Sequence, residues 1–508
     1  MRRAYKHLVL VALVSLFVGL GMTSSYQESG LSQTAAPQPN IIFILTDDMR
    51  KDDLNARYMP QTTTELVAKG RRFQNAFVSN PLCCPSRATT MRGQYAHNTK
   101  VWFNTNAFDP DPNVRDGGWE GYNGNGYEDE NVARHLKDAG YTTGLFGKYL
   151  NGYAATTVPT TPPPWWDDWF AFKTHQYYNY DVNDNGTIKH FGASESDYST
   201  DVLNGEVQQF IGASAPQGKP FFAYVAPIAP HEPAIPAPRD RQTFDPEKAP
   251  RLPSFDEAVV SDKPPWIRSL PRLTSADMAN IDQRHEHRVE SLQAVDDLVA
   301  GVVRKLAEQG ELSNTYIVFT SDNGWHHGEH RIPDRKGRPY EEDIRVPLVV
   351  RGPGVAAGSS TNKLVLNTDY LPTFTDLAGA QTPPYVDGRS LLPVLLKGSA
   401  TTSWRTAILI EGRRYSADPE IPVDINYNGI RTSTSKYIEY EGGFRELYDL
   451  RPGADPYELR NTYSSAAPTV ALRPALQARL DALKSCQPQD DPTTPEVETP
   501  CQAAEDAP

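Results

Sequence analysis

Two adjacent cysteines precede a proline and an arginine in the stretch P-L-C-C-P-S-R at residues 81–87. Neighbouring cysteines do not readily close a strain-free disulfide with each other, and no histidine or second C-x-x-C stands beside them as a zinc site would need. Cys83 precedes Pro85, and proline suits the first turn of a helix. The sequence therefore predicts a helix that starts near Cys83 and ends at Gly93. Exposed amides at such a helix start, together with Arg87, favour an anion, although the pair could instead be buried structural cysteines.

Short apolar runs indicate the sheet that must position these residues. They lie at residues 41–45, 142–146, 221–226, 316–320 and 346–350. Unbroken runs rich in β-branched residues suit strands covered on both faces, as in a parallel sheet. Helical patterns lie between them at 131–139 and 288–309. This alternation predicts an α/β sheet.

Polar residues follow four of these runs. They are Asp47 and Asp48, Lys148, His231, and Asp322 with Asn323. Ligands of open α/β sheets bind beyond the carboxyl ends of the strands, so these residues are expected to converge at one edge. A single such cluster could merely cap the next helix, but four together favour a site.

Three carboxylates and one amide oxygen form a candidate metal site. Asp47, Asp48, Asp322 and Asn323 supply only oxygen ligands, which suit a hard divalent cation, Ca²⁺ better than Zn²⁺. The alternative is two separate capped turns with no metal.

The composition bounds the class of protein. The chain has 508 residues, of which 39% are hydrophobic, so it can bury a large core. A formal net charge of −13 argues against a nucleic-acid-binding surface. A polyanionic substrate would therefore need a local basic pocket, which the run of Arg331, Arg335, Lys336 and Arg338 could supply if it is not simply a solvated loop.

The N-terminus is typical of an export signal. Arg2, Arg3 and Lys6 precede an apolar run at residues 8–20, and small residues follow to Ser25. The run is short for a membrane span, so we expect a signal peptide at 1–25, with an uncleaved anchor as the alternative. Cleavage would deliver a secreted, cell-envelope or periplasmic protein with no stable membrane span. Residues 26–38 are rich in Ser, Gln, Ala and Pro and are expected to form a linker.

The sequence pattern changes near residue 400. We expect a catalytic domain at 39–400 and a C-terminal α+β subdomain at 401–485, with an antiparallel sheet and a helix near 474–484. Its expected strands are 407–410, 429–432, 437–440 and 446–450. The tail at 486–508 is acidic and rich in Pro and Thr, so we expect it to be disordered. Cys486 and Cys501 could pair after export, since their spacing permits a bridge.

These motifs together resemble those of the type I, formylglycine-dependent sulfatases. C-x-P-S-R from Cys83, followed by T-M-R-G at 90–93, is similar to the family signature. Asp47-Asp48 and Ser321-Asp322-Asn323-Gly324 resemble the two halves of its metal site. Gly147-Lys148, His231 and Lys336 resemble its sulfate-binding and substrate-side residues, and the resemblance runs from about residue 40 to 461. It implies an alkaline-phosphatase-like sandwich with a large mixed, mostly parallel sheet between helices.

The resemblance also implies a mechanism. A formylglycine-generating enzyme would oxidise Cys83 to formylglycine (3-oxoalanine), and Asp47, Asp48, Asp322, Asn323 and the modified residue would hold Ca²⁺. The hydrated aldehyde would attack the ester sulfur, near the fixed charge of Arg87. Lys148 and Lys336 would neutralise the sulfate oxygens. His231 would protonate the departing alcohol.

One position departs from the family pattern. Leu150 stands where many arylsulfatase-like members carry a histidine, two residues after the first lysine. The base that aids sulfate release is therefore open. His326 is one candidate for that role and for substrate binding, although it could equally be a wall of the pocket.

The substrate class follows from a narrower resemblance. K-Y-L-N at 148–151, Y-Y-N-Y at 177–180 and D-Y-S-T-D-V-L at 197–203 resemble N-acetylglucosamine-6-sulfatase and the heparan endosulfatases. They imply a sulfated carbohydrate and, within that class, the 6-O-sulfate of N-acetylglucosamine or of a glycosaminoglycan. Trp165, Trp166 and Trp169 could stack on a sugar or only pack. The alternatives are a phosphonate or phosphodiester hydrolase of the same superfamily and a non-catalytic glycan-binding protein.

Overall fold

A ten-stranded sheet with β1 near its middle forms the centre of the structure, which is a computed structural model. The structure describes residues 38–105, 115–153, 160–396, 403–413, 425–465, 471–488 and 498–507. The predicted signal peptide and the predicted linker up to residue 37 lie outside these residues. The strands of the large sheet are β1 (Asn40–Thr46), β2 (Arg71–Phe77), β3 (Thr142–Gly147), β4 (Asp168–Phe172), β5 (Tyr180–Asp184), β6 (Thr187–Phe191), β7 (Phe221–Ala226), β8 (Thr315–Ser321), β9 (Leu348–Arg351) and β10 (Ser359–Leu366).

The strand order explains why distant parts of the chain meet. It runs β10-β2-β9-β8-β1-β7-β3-β4-β5-β6. β8, β1, β7, β3 and β4 are parallel neighbours, so their carboxyl ends share one edge. β9 pairs antiparallel with β8 and with β2, and β5 and β6 are antiparallel to their neighbours. The predicted mixed, mostly parallel sheet is confirmed.

Apolar side chains cover both faces of the sheet. Along β1, Ile41, Phe43 and Leu45 belong to one core, and Ile42 and Ile44 belong to the other. The helices are α1 (Pro60–Thr62), α2 (Cys83–Arg92), α3 (Ala96–Thr99), α4 (Gly118–Gly124), α5 (Val132–Asp138), α6 (Ser199–Ser214), α7 (Pro265–Arg268), α8 (Ser275–Glu308), α9 (Glu341–Ile344), α10 (Tyr370–Leu377), α11 (Leu392–Leu396), α12 (Arg473–Leu483) and α13 (Pro500–Asp506). Burial on two faces accounts for the continuous apolar runs in the sequence.

The longest helix starts earlier than its apolar pattern predicts. The pattern begins at residue 288, whereas α8 begins at Ser275. The N-terminal turns are held by a capping box, in which the Thr274 hydroxyl accepts from the Asp277 amide and the Asp277 carboxylate accepts from the Thr274 amide. These turns lie largely at the surface, which is why they lack an apolar stripe.

A second sheet follows residue 400, as predicted. Its strands β11 (Ala407–Gly412), β12 (Tyr427–Thr432), β13 (Ser435–Tyr440) and β14 (Arg445–Asp449) are antiparallel in sequence order. Helix α12 packs on it through Leu476, Leu480 and Leu483. Both sheets belong to one compact unit that begins at Gln38.

The prediction of a disordered tail is wrong for residues 498–507. Helix α13 lies there, and a disulfide joins Cys486 to Cys501. Glu505 is buried and pairs with Arg405 at 2.9 Å and with Arg389 at 3.1 Å. The acidic composition suggested a solvated tail because the sequence alone does not show that buried arginines donate to the Glu505 carboxylate.

None of the helices in the described part of the chain is long and apolar enough to cross a membrane.

Removing the disulfide is expected to lower stability without touching the site. The bridge spans a sequence separation of 15 residues, for which loop closure predicts a loss of about 3 kcal/mol of unfolding free energy. Chemical denaturation of the Cys486→Ser/Cys501→Ser double variant measures this loss. The wild-type protein in reductant should approach the variant, and identical unfolding midpoints for oxidised wild type and variant would contradict the expectation.

Candidate active site

The carboxyl ends of the parallel strands bring the predicted residues together. Asp47 and Asp48 follow β1, Lys148 follows β3, and Asp322 with Asn323 follows β8. His231 lies five residues beyond the end of β7. Cys83 is the first residue of α2, which ends at Gly93 in the left-handed conformation with φ 66°, as predicted.

Three carboxylates form the centre of this site. Oxygen atoms of Asp47, Asp48 and Asp322 all lie within 4.8 Å of one another, and the three side chains are buried. Asp48 has φ 68°, and its amide donates to Asp322 Oδ1 at 3.0 Å. The backbone turn after β1 thus holds two carboxylates against the turn after β8.

Three cations balance these carboxylates. Lys148 Nζ lies 2.5 Å from Asp47 Oδ2, Lys336 Nζ lies 2.7 Å from Asp48 Oδ1, and Arg87 Nε lies 2.8 Å from Asp322 Oδ2. Burial by itself would raise the pKa of Asp47, but Lys148 and the other neighbouring cations hold that pKa well below its usual value. Burial, reinforced by the charge of Asp47, raises the pKa of Asp322 to about 6.

Cys83 and Cys84 occupy different surroundings. Cys83 Sγ lies 3.5 Å from Asp47 Oδ1 and 2.8 Å from Lys336 Nζ, inside the site. Cys84 packs in the hydrophobic core, and its amide donates to Asn104 Oδ1 at 3.0 Å. Burial raises the pKa of the Cys83 thiol well above its usual value. Since the thiolate is the reactive form, an unmodified Cys83 would be a weak nucleophile at neutral pH.

His231 lies at the open side of the cluster. Its side chain is 24% exposed, whereas Asp48 beside it is fully buried. Nδ1 donates to the carbonyl of Glu232 at 2.7 Å, which leaves Nε2 pointing at the site, 3.7 Å from Asp48 Oδ2. This arrangement directs one ring nitrogen toward a group arriving from solvent.

The structure does not place His326 among the cluster residues. Its Nδ1 lies 2.6 Å from Asp343 Oδ1, and its amide donates to the Arg335 carbonyl at 2.8 Å. The amide of Arg338 donates to the other oxygen of Asp343 at 2.8 Å. His326 and Asp343 therefore fix the loop on either side of Lys336. These contacts give His326 a positioning role, and its predicted part in substrate binding and sulfate release stays a prediction.

Several other residues that the sequence analysis singled out have packing or loop-holding contacts in the structure. Trp166, Trp169 and Leu150 lie in the hydrophobic core. Arg331 donates to the backbone carbonyls of Glu257, Leu270 and Ala258, and Arg338 is buried against the Trp266 ring. Of the basic run, Lys336 is the residue that the structure places on the carboxylates.

Two residues near the site were not predicted from the sequence. Arg288 is fully buried and donates to the carbonyls of Asp48 at 2.5 Å and Pro230 at 3.0 Å. It thus holds the two turns that carry Asp48 and His231. The sequence feature that could have pointed to Arg288 is a charged residue directly beside the apolar stripe of α8. His175 follows β4, and its Nε2 is buried; no motif pointed to it.

Comparison with known proteins identifies the family. Residues 39–380 match the family described as Sulfatase, and residues 328–486 match the one described as N-sulphoglucosamine sulphohydrolase, C-terminal. The chain belongs to the sulfatase family, which confirms the resemblance drawn from its motifs and, with the sheet described above, the alkaline-phosphatase-like sandwich.

Three relatives illustrate the similarity. The chain is 38% identical over 394 residues to the extracellular sulfatase SULF-1 homolog of Drosophila melanogaster, covering 75% of this chain and 34% of that protein. It thus spans about a third of the fly protein's length. It is 34% identical over 486 residues to N-acetylglucosamine-6-sulfatase of Homo sapiens, and the match covers 88% of this chain and 85% of that protein. The structure of BT4656, solved with its substrate D-glucosamine-2-N,6-O-disulfate, superposes with a TM-score of 0.72 at 25% identity. The match covers 87% of this chain and 97% of BT4656.

Loss of Arg288 should lower the stability of the protein more than loss of a surface arginine on the same helix. Arg288→Met is expected to lower the unfolding free energy by about 1.5–3 kcal/mol because two buried carbonyls lose a charged donor. Arg304→Met, on the same helix, is the matched control, since Arg304 is exposed at the surface. Denaturant titration of both variants measures the difference, and equal stabilities would show that Arg288 does not hold the two turns.

Proposed function

We propose that this protein hydrolyses the sulfate ester of a sulfated carbohydrate, with the 6-O-sulfate of N-acetylglucosamine or of a glycosaminoglycan as the substrate class. The observation that carries the proposal is the buried group of three carboxylates, two lysines and Cys83 in a chain of the sulfatase family. The similarity to human N-acetylglucosamine-6-sulfatase, and to a structure whose substrate is a 6-O-sulfated glucosamine, supports the sugar.

The residues present fit a divalent cation. Asp47, Asp48 and Asp322 bring their oxygens within 4.8 Å of one another, and Asn323 Oδ1 is buried without a hydrogen-bond partner among the described residues. An unsatisfied amide oxygen beside three carboxylates is a donor set that Ca²⁺ prefers. When bound, the cation would supply positive charge that stabilises an oxyanion.

Cys83 is the residue proposed to carry the modification to formylglycine. It begins α2 next to the carboxylates, and as a thiol it is poorly suited to attack because burial keeps it protonated. A formylglycine-generating enzyme would supply the aldehyde, whose hydrate offers an oxygen nucleophile at this position.

The two lysines are proposed to bind the sulfate. Here they neutralise Asp47 and Asp48; with a divalent cation on these carboxylates, Lys148 and Lys336 can turn to sulfate oxygens instead. To protonate the departing alcohol, His231 would have to carry a second proton, because Nδ1–H already donates to the Glu232 carbonyl. The imidazolium would then pass its Nε2 proton to the alcohol. His231 is also the exposed edge of the site, where the sugar would enter.

The proposed location is outside the cytoplasm, either secreted or in the cell envelope. The extracellular sulfatase homologs of Drosophila melanogaster and Caenorhabditis elegans support it, as does the disulfide between Cys486 and Cys501, which persists in oxidising compartments.

Two cysteine variants test the proposal. Purified protein with Ca²⁺ should release sulfate from N-acetylglucosamine 6-sulfate, measured by ion chromatography, and a chelator should suppress that release. Cys83→Ala should lower kcat by at least ~10³-fold, as loss of a nucleophile does. Cys84→Ala is the matched control and should keep most of the activity, because Cys84 packs in the core.

The same assay separates the alternatives. A dominant rate on an aryl phosphodiester, measured beside an aryl sulfate, would identify a phosphodiester hydrolase instead. An equal loss of kcat in Cys83→Ala and Cys84→Ala would show that Cys83 is not the catalytic cysteine. Absence of turnover on all three esters would favour a glycan-binding protein.

A further inference from the structure

A histidine outside every motif lies at the same edge of the sheet as the cluster. β4 runs parallel to β3, with Gly147 opposite Ala171. Lys148 directly follows β3. His175 lies in the loop after β4, four residues beyond Ala171. The loop that follows β4 is therefore placed next to Lys148.

This loop is fixed against the site. The amide of Lys173 donates to the Asp181 carbonyl at 2.8 Å, and its Nζ donates to the Tyr153 carbonyl at 2.8 Å. On the other side of His175, the Tyr177 hydroxyl donates to the carbonyl of His231 at 2.7 Å. These contacts anchor the loop on both sides of His175, and one of them ties it to the turn that carries His231.

The ring of His175 has an unsatisfied polar atom. The side chain keeps partial exposure to solvent, yet its Nε2 is buried and has no hydrogen-bond partner among the described residues. A buried polar atom left without a partner is destabilising, so a ligand that accepts a hydrogen bond from Nε2 would be stabilised at this position.

The charges around His175 belong to the cluster. Burial first, then the charge of Lys148, lowers the pKa of His175 well below its usual value, and Asp47, His231 and Arg87 also act on it. The ring is therefore neutral at neutral pH. A neutral imidazole can donate one hydrogen bond to an anion without adding a further positive charge to a site that already holds two lysines and an arginine.

We propose that His175 binds the sulfate group of the substrate, donating a hydrogen bond from Nε2 on the side of Lys148. This inference rests on the proposed function, because it takes the sulfate ester as the anion. It gives the site two histidines with separate tasks, His231 at the leaving alcohol and His175 at the sulfate.

Binding of inorganic sulfate and turnover test the proposal together. Isothermal titration of the Ca²⁺-loaded protein with sulfate should show a Kd raised about tenfold or more in His175→Ala, as loss of a hydrogen bond to a charged group predicts. KM for N-acetylglucosamine 6-sulfate should rise in parallel. His175→Gln should restore part of both, since the glutamine amide can donate from near the position of Nε2.

The control is His190→Ala. His190 is 63% exposed on β6 and bonds to Asp181, so this variant should keep the wild-type Kd and KM within about twofold, as surface substitutions do. Unchanged sulfate affinity in His175→Ala would overturn the inference.

The outcomes distinguish the inference from the proposed function. Weaker sulfate binding in His175→Ala, in a protein that releases no sulfate from any ester, would uphold the anion contact and refute the activity. Turnover by the wild type with unchanged Kd and KM in His175→Ala would uphold the activity and refute the role of His175. A wild type that neither binds sulfate nor turns over would refute both.

Discussion

The balance of buried charge at the edge of the sheet is the constraint on which the site depends. Asp47, Asp48 and Asp322 are out of water, and each is in contact with a buried cation. Removing a single partner from such a group leaves an uncompensated buried charge, which is strongly destabilising. The carboxylates and cations must therefore be kept as a set. In the proposed reaction, Asp47, Asp48 and Asp322 would hold a divalent cation, and Lys148 and Lys336 would then be available to the sulfate.

The topology of the sheet makes this charge balance possible. Parallel strands β8, β1, β7 and β3 present their carboxyl ends side by side. The neighbouring strands β1 and β7, and β1 and β8, are each separated by more than a hundred residues along the chain. Arg288 joins the turns after β1 and before His231. Asp343 and His326 fix the loop around Lys336. These contacts make the geometry of the site depend on the second half of the chain as much as on the first.

Sequence reasoning found strands β1, β3, β7, β8 and β9, helix α2 and the cluster. Each has a local signal: an apolar run, a proline after Cys83, or a polar pair after a strand. It missed strands β2, β4, β5, β6 and β10. It also missed the antiparallel pairing of β9, since pairing direction is not a local property. The disordered tail was wrong because burial of Glu505 against Arg405 depends on residues far along the chain. Arg288 and His175 were not singled out, because a side chain's neighbours across the sheet are not visible in its spacing.

The central claim is that Cys83 is converted to an aldehyde in the active protein. Mass spectrometry of the tryptic peptide that ends at Arg87, taken from protein with measured sulfate-releasing activity, tests it most directly. The account predicts that this peptide has lost the sulfur of Cys83 and gained an oxygen, with Cys84 intact and the aldehyde trapped by a hydrazine reagent. An intact Cys83 thiol throughout a fully active preparation would contradict the account.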